Sequence, residues 1–319
     1  MLVSPLFKLF RMMNSTHGGW EAYDMLTQAP TAGRNTVIDS GLGLCDGLIG
    51  AVKRGFIVHG FEPVPAHVEH CRRGLPAHSY YQVRLPHPSS PSSAWQQVHR
   101  QIPKPPDGRG FAYLYQAALG ESNGFANMTV NLGWSTLLTK SRAGGQQSRS
   151  PIIQIQVVTL DDVLDPELAI WLLKMDLQGF ELRALRSAQG LLRHRRIAHV
   201  QPEVVPYLLD SADPPNGTDG LLALLRAHDF LCFDWARTTH MPALPPAERP
   251  SSARGWVQAM RNHTKIGAGA RRADHAANER AAAYGIPRKQ ISAEKSWRLI
   301  GSVDDLLCVH TFGGAEGAE

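Results

Sequence analysis

A glycine turn that joins a short apolar run to a helix-like segment is the feature that most constrains how this chain folds. The apolar run ends at Asp39, Gly41 and Gly43 form the turn, and the segment LIGAVKRG follows. A second apolar run ends at Glu62. Glycine lets the chain turn tightly and lets a ligand approach the backbone closely. Strand, glycine turn, helix, strand and acid in this order predict the ligand-binding edge of a doubly wound α/β sheet.

The charges around this turn favour a ligand that carries no phosphate. The third glycine of the dinucleotide fingerprint is replaced by Asp46, and Asp39 stands just before the first glycine. A pyrophosphate in this turn would be repelled by both carboxylates. A cationic adenosyl compound suits the site better, and S-adenosylmethionine is such a compound. Glu62 is then expected to accept hydrogen bonds from the two ribose hydroxyls.

The composition is that of a globular protein, with 43% hydrophobic residues and a net charge of +5. The basic residues are scattered and have no aromatic residues interleaved with them, so the sequence predicts no nucleic-acid partner. No apolar run approaches the roughly 18 residues that a membrane-spanning helix needs. The opening segment MLVSPLFKLFRMM lacks the apolar core of a signal peptide. We therefore expect a cytoplasmic protein or one in the lumen of an organelle.

The four cysteines, at positions 45, 71, 232 and 308, show no metal-site spacing. None belongs to a CxxC pair, so a zinc site is not predicted, and no other metal-ligand set is recognisable. Cys232 and Cys308 lie within apolar runs, where a buried free thiol is the ordinary interpretation. Free thiols favour a reducing compartment.

The chain reads as one large α/β domain over residues 34–319 with a lead-in over residues 1–33. Two stretches with weak strand patterns, about 84–110 and 236–296, are predicted to be insertions. The segment AYLYQAA is predicted to be a single strand, and residues 180–192 are predicted to be one amphipathic helix.

Six sequence motifs occur in the order found in a known enzyme family. They are DSGLGL, GFEPVP, AALGESNG, VTLDDVL, LLKMDLQGFELRALRSA and QPE. Between residues 37 and 234 the sequence resembles the FkbM family of S-adenosylmethionine-dependent methyltransferases. The resemblance implies a Rossmann-like, seven-stranded methyltransferase sheet with an antiparallel last strand. It also implies methyl transfer to a hydroxyl oxygen of a small-molecule acceptor, a sugar, a glycan or another metabolite.

The same resemblance implies which residues bind the cofactor. The glycine turn would hold the methionine part, the end of the second strand would hold the ribose, and the AALGES turn would lie beside the adenine. The residues concerned are Asp39, Gly41, Gly43, Glu62, Pro63, Ala118, Leu119 and Ser122.

Four residues are candidates for the chemistry: Lys174, Asp176 and Glu181 of the K-x-D-x-x-G-x-E motif, and Glu203. Asp176 follows a central strand at its carboxyl end and is the first candidate for the base that deprotonates a hydroxyl acceptor. Simpler interpretations remain open at this point. Asp176 could cap a helix, Glu181 could be a first-turn charge, Glu203 could be a solvated strand end, and Lys174 could pair with one of these acids.

The sequence also departs from the family pattern. The family usually has Asn, Gly and Glu where Gly43, Cys45 and Gln178 stand. Cys45 adds a Cβ atom where the backbone is expected to approach the cofactor, and Gln178 removes a charge near the expected acceptor. Two alternative functions therefore stay open, a catalytically inactive cofactor-binding protein of the same fold and a nicotinamide-dependent oxidoreductase.

Overall fold

A computed structural model describes residues 33–130, 136–137, 151–204, 206–214, 217–234 and 304–310, together with Thr27 and Pro30. Most of the predicted lead-in and the whole of the predicted 236–296 insertion lie outside the described residues. The division into a lead-in and a methyltransferase domain therefore stays a prediction.

The described residues form two sheets that are built from short strands. In chain order the strands are β1 (Thr36–Ser40), β2 (Ile57–Phe61), β3 (Tyr80–Gln82), β4 (Phe111–Tyr115), β5 (Ala118–Leu119), β6 (Gly124–Thr129), β7 (Thr136–Leu137), β8 (Ile152–Val158), β9 (Ile170–Met175), β10 (Ile197–Val204), β11 (Phe230–Asp234) and β12 (Asp304–His310).

The helices are short and connect these strands. They are α1 (Asp46–Lys53), α2 (Pro65–Gly74), α3 (Ser92–Trp95), α4 (Val98–Gln101), α5 (Leu160–Val163), α6 (Glu181–Arg186), α7 (Gln189–Arg193), α8 (Pro206–Ala212) and α9 (Gly217–Ala227). Within the described ranges, none of them has the length and apolar character that a membrane span requires.

The main sheet has the order β11-β12-β10-β9-β1-β2-β4-β3. β12 runs antiparallel to both of its neighbours, β10 and β11, while the pairings from β10 to β3 are parallel. The predicted doubly wound methyltransferase sheet with an antiparallel last strand is therefore confirmed. The short strand β3 adds an eighth member at the edge.

Both faces of the central strands are buried, and this explains their continuous apolar sequences. Successive residues of a strand point to opposite faces. Accordingly Val37 and Leu172 belong to one core cluster, whereas Ile38 and Leu173 belong to the other. The 84–110 segment contributes to the second cluster through α3 and α4, where Trp95 and Val98 are buried.

The predicted helix over residues 180–192 is interrupted, so that prediction is wrong about its continuity. Ser187 ends α6, because its hydroxyl donates to the carbonyl of Ala184 and accepts from the N–H of Leu160. The carboxylate of Asp161 then accepts from two N–H groups of α7, at Gly190 and Leu191. This side chain gives the second helix its own beginning.

The predicted strand AYLYQAA is also divided. Its first part is β4 in the main sheet, whereas Ala118 continues into β5 of the second sheet. That sheet has the order β5-β8-β6-β7. The long antiparallel pair of β6 and β8 forms its centre.

The free thiols expected from the sequence are contradicted, because all four cysteines form disulfides. Cys45 is bonded to Cys71, and Cys232 is bonded to Cys308. The partners are far apart in sequence, and tertiary structure brings them together: α1 lies near α2, and Cys232 faces Cys308 across β11 and β12. The argument for a reducing compartment depended on free thiols and loses its support.

Candidate functional site

The carboxyl ends of three adjacent strands bring the predicted polar residues together. β2, β1 and β9 are neighbours, and Asp39 in β1 is in register with Lys174 in β9. Glu62 directly follows β2, and Asp176 directly follows β9. Parallel strands place their carboxyl ends at one edge of the sheet, so these four side chains share one crevice.

Lys174 connects the acids of this crevice. Its Nζ donates to the carbonyl oxygen of Gly41 at 3.0 Å and lies 3.5 Å from Asp39 Oδ1 and 3.6 Å from Asp176 Oδ2. The lysine is only 8% exposed. Lys174 therefore pairs with two acids, as one of its two interpretations from the sequence has it, and contact with substrate stays a prediction.

Gly41 occupies a position that no other residue fits. Its φ is +80°, and a Cβ atom there would lie 1.9 Å from the carbonyl oxygen of Asp176. Its N–H donates to the carbonyl of Phe61 at 3.0 Å. The backbone of the turn therefore lies close to the ends of both β2 and β9. Only glycine allows this close approach.

The carboxylate of Glu62 is held by backbone donors of two segments. It accepts from the N–H of Val64 at 2.9 Å and from the N–H of Gly43 at 3.3 Å. His67 Nδ1 lies 3.4 Å from Glu62 Oε1, and hydrogen bonding to this carboxylate raises the pKa of His67. Sequence reasoning missed His67. The only signal for it was a histidine in the first turn of the helix after the acid.

Gln178 brings two of the predicted acids together. Its Nε2 donates to Asp176 Oδ1 at 2.9 Å and to Glu203 Oε2 at 2.8 Å. Glu203 is 9% exposed and lies inside β10 rather than at a solvated strand end. From the sequence, Gln178 is interpreted as the loss of a charge, whereas in the structure its amide links the two carboxylates.

Glu181 lies near Asp176, but its carboxylate is engaged by backbone donors. It is fully buried, and its two oxygens accept from the N–H groups of Leu177 and Gly179 at 2.8 and 3.0 Å. Burial raises its pKa to about 8, and nearby Asp176 adds to the shift. Its geometry is that of a residue that shapes the turn before α6. The N-cap of α6 is Phe180, so Asp176 does not cap this helix.

The residues predicted beside the adenine lie in β5 and in the turn that follows it. Ala118 belongs to an apolar cluster that also contains Val64 and Phe180, and Leu119 is buried next to it. Ser122 is exposed in the following turn. This apolar cluster includes Val64, whose N–H donates to the carboxylate of Glu62.

The turn that contains Ser122 is fixed by a polar network. Asn123 donates through Nδ2 to Asp162 Oδ2 at 2.8 Å and accepts from the N–H of Thr159 at 3.0 Å. The Thr159 hydroxyl also donates to Asp162 Oδ2.

Over the residues described here, no three His, Cys, Asp or Glu side chains converge in a way that could hold a metal ion.

The family of this protein follows from its match to a family model. Residues 43–232, more than half of the chain, match the methyltransferase FkbM domain. The chain belongs to the FkbM methyltransferase family. This FkbM match favours methyl transfer over the hydride transfer of the oxidoreductase alternative.

Curated proteins and solved structures give less information about this chain. None of the curated proteins matches the chain. Among solved structures the chain is similar to one described as "StiE O-MT residues 961-1257", with 9% sequence identity over 92% of this chain and 75% of that chain. The TM-score of 0.33 is too low for this likeness to bear on function.

Replacing the two turn glycines with alanine tests the packing of the turn. Both have positive φ, but a Cβ atom at Gly43 would meet nothing within 4 Å. Gly43→Ala is expected to lower the free energy of unfolding by about 1 kcal/mol. Gly41→Ala forces the turn away from Asp176 and is expected to cost about 3 kcal/mol or more. Urea denaturation measures both, and equal losses would contradict the packing.

The pairing of His67 with Glu62 predicts a pH-dependent contribution to stability. Because the pKa of His67 is raised on folding, this contribution is complete below the unfolded pKa of about 6.5 and is lost as the pH rises through the folded pKa. His67→Gln should therefore reduce the free energy of unfolding by about 0.5–1 kcal/mol at about pH 6 and by little at about pH 9. His70→Gln, at an exposed position of the same helix, is the control. A loss that does not change with pH would refute the pairing.

Proposed function

We propose that this FkbM protein is an S-adenosylmethionine-dependent O-methyltransferase whose acceptor is a hydroxyl of a sugar or another small metabolite. The observation that carries the proposal is the fixed carboxylate of Glu62. It lies beside the glycine turn, with its orientation set by two backbone donors. Both oxygens retain lone pairs that can accept hydrogen bonds from ribose hydroxyls.

The residues of the crevice fit an adenosyl cation. Asp39 and Asp176 give the crevice acidic character beside the turn, and Lys174 is engaged between them. Anionic groups favour a sulfonium and an ammonium and disfavour a pyrophosphate. The exposed Gly43 leaves open space where a side chain would stand, so a ligand can approach the backbone there.

The apolar wall formed by Val64, Ala118 and Phe180 suits the face of an adenine. Pro63 and Leu119 are buried next to Val64 and Ala118 in the chain, and Ser122 is exposed in the turn after β5. We therefore assign the residues from Asp39 to Gly43 to the amino-acid part, Glu62 to the ribose and the β5 turn to the base.

Asp176 is the residue we assign as the general base. Its carboxylate is part-exposed at the end of a central strand, where an acceptor hydroxyl can reach it. S-adenosylmethionine, when bound, supplies an electrophilic methyl group on a cationic sulfur. Asp176 would take the proton of the hydroxyl as the oxygen bonds to the methyl carbon and the bond from that carbon to sulfur breaks, with S-adenosylhomocysteine as the leaving group. A positioned base contributes about 10²–10⁴-fold to such a rate.

Lys174 and Gln178 contact Asp176 from two sides, and Glu203 acts on it through Gln178. The ammonium of Lys174 lies near Oδ2, while Gln178, which is also bonded to Glu203, donates to Oδ1. These contacts fix the direction of the carboxylate. We assign Lys174 and Glu203 to positioning the base and Glu181 to forming the turn that carries it.

Incubation with methyl-labelled S-adenosylmethionine and a cell metabolite extract tests the proposal. Mass spectrometry should detect a labelled small molecule, and Glu62→Ala and Asp176→Ala should each lower its rate of formation about 100-fold or more. Glu69→Ala removes a more exposed acid of α2 and is the matched control. Full turnover by both crevice variants would refute the site. Cofactor binding without any labelled product would favour the inactive alternative.

A further inference from the structure

The residue that ends the glycine turn has an unfavourable backbone conformation. Cys45 has φ +64° and ψ +7°, in the left-handed region, and it stands at the N-cap of α1. Its N–H donates to the carbonyl of Leu42 at 2.7 Å, and its carbonyl accepts from the N–H of Ile49 at 3.0 Å. The turn and the first turn of the helix therefore both depend on this conformation, which glycine adopts readily and most side chains do not.

The side chain of Cys45 points into the core rather than towards the crevice. It is 1% exposed and belongs to a core cluster with Leu42 and Leu48, whereas Gly43 two residues earlier is exposed. The Cβ atom that the sequence analysis expected to crowd the cofactor is therefore on the protected side of the turn.

The disulfide joins this position to the helix that follows the ribose acid. Cys71 lies in α2 and is completely buried. The start of α2 includes the N–H of Val64, which donates to Glu62, and Glu62 in turn accepts from the N–H of Gly43. The disulfide and the hydrogen bonds of Glu62 thus link the glycine turn, Glu62 and α2 into one closed unit.

We propose that the Cys45–Cys71 disulfide is a positioning element that holds the turn in its left-handed, ligand-ready conformation, so that cofactor affinity depends on it. The inference deepens the proposed function and rests on it. Without the bond, a side chain at position 45 favours other backbone conformations, and part of the population loses the turn. Glycine at position 45 adopts the left-handed conformation readily, so it does not need the disulfide to keep the turn in place.

Substitutions at position 45 separate this role from general stabilisation. We would measure the affinity of the full chain for S-adenosylhomocysteine by calorimetry, together with the thermal unfolding midpoint. Cys45→Ser with Cys71→Ser removes the bond but keeps a side chain, and it should bind about tenfold more weakly. Cys45→Gly with Cys71→Ser should bind within about twofold of the wild type.

The second disulfide supplies the matched control. Cys232→Ser with Cys308→Ser removes a bond in the edge strands β11 and β12, so it should lower the unfolding midpoint without changing the affinity. If the Ser variant at position 45 does not fold, Cys45→Ala with Cys71→Ser replaces it, and it should bind more weakly than the Gly variant.

Three results would overturn the inference. One is affinity of the Ser variant equal to that of the wild type, and another is a Gly variant that binds no better than the Ser or Ala variant. The third is alkylation of Cys45 or Cys71 in the unreduced, unfolded protein, because a disulfide leaves no thiol to react. Failure of the wild type itself to bind S-adenosylhomocysteine would instead refute the proposed function on which the inference rests.

Discussion

The crevice depends on one nearly buried ammonium group. Asp39 and Asp176 stand at the ends of adjacent strands, where two ionised carboxylates would repel each other. The Nζ of Lys174 lies between them and also donates to the carbonyl of Gly41, so the same group balances the charges and holds the glycine turn. Without it, the charge of the buried Asp39 would have no cation to balance it, and leaving a buried charge uncompensated costs several kcal/mol. Lys174 therefore determines both the charge balance of the crevice and the position of the backbone in the glycine turn.

Those features of the fold that follow from local patterns could be predicted from the sequence. The apolar runs that end at Asp39, Glu62 and Met175 predicted central parallel strands, and the structure has them as β1, β2 and β9. Because parallel strands align their carboxyl ends, the sequence also predicted that Asp39, Glu62 and Asp176 occupy one edge. The order of six motifs added the antiparallel last strand, which periodicity alone does not specify.

The rest depended on contacts between residues that are distant in sequence. Gln178 acquires its role from Glu203 on the next strand, and no pattern around Gln178 indicates that partner. Cys45 and Cys71 show no metal-site spacing, and no pattern around either residue indicates that the other is its disulfide partner. The break at Ser187 was hidden because the apolar spacing of α6 and α7 stays in phase while Asp161, from a separate segment, caps the second helix. Burial and partner identity, rather than periodicity, decide each of these cases.

We propose that the carboxylate of Glu62, fixed by the glycine turn and the start of α2, receives the ribose of an adenosyl cofactor. A crystal structure of the protein with S-adenosylhomocysteine tests this most directly. We predict both ribose hydroxyls within hydrogen-bond distance of Glu62 and the sulfur on the side of the crevice where Asp176 stands. A ligand bound elsewhere, or one whose ribose does not contact Glu62, would contradict the account.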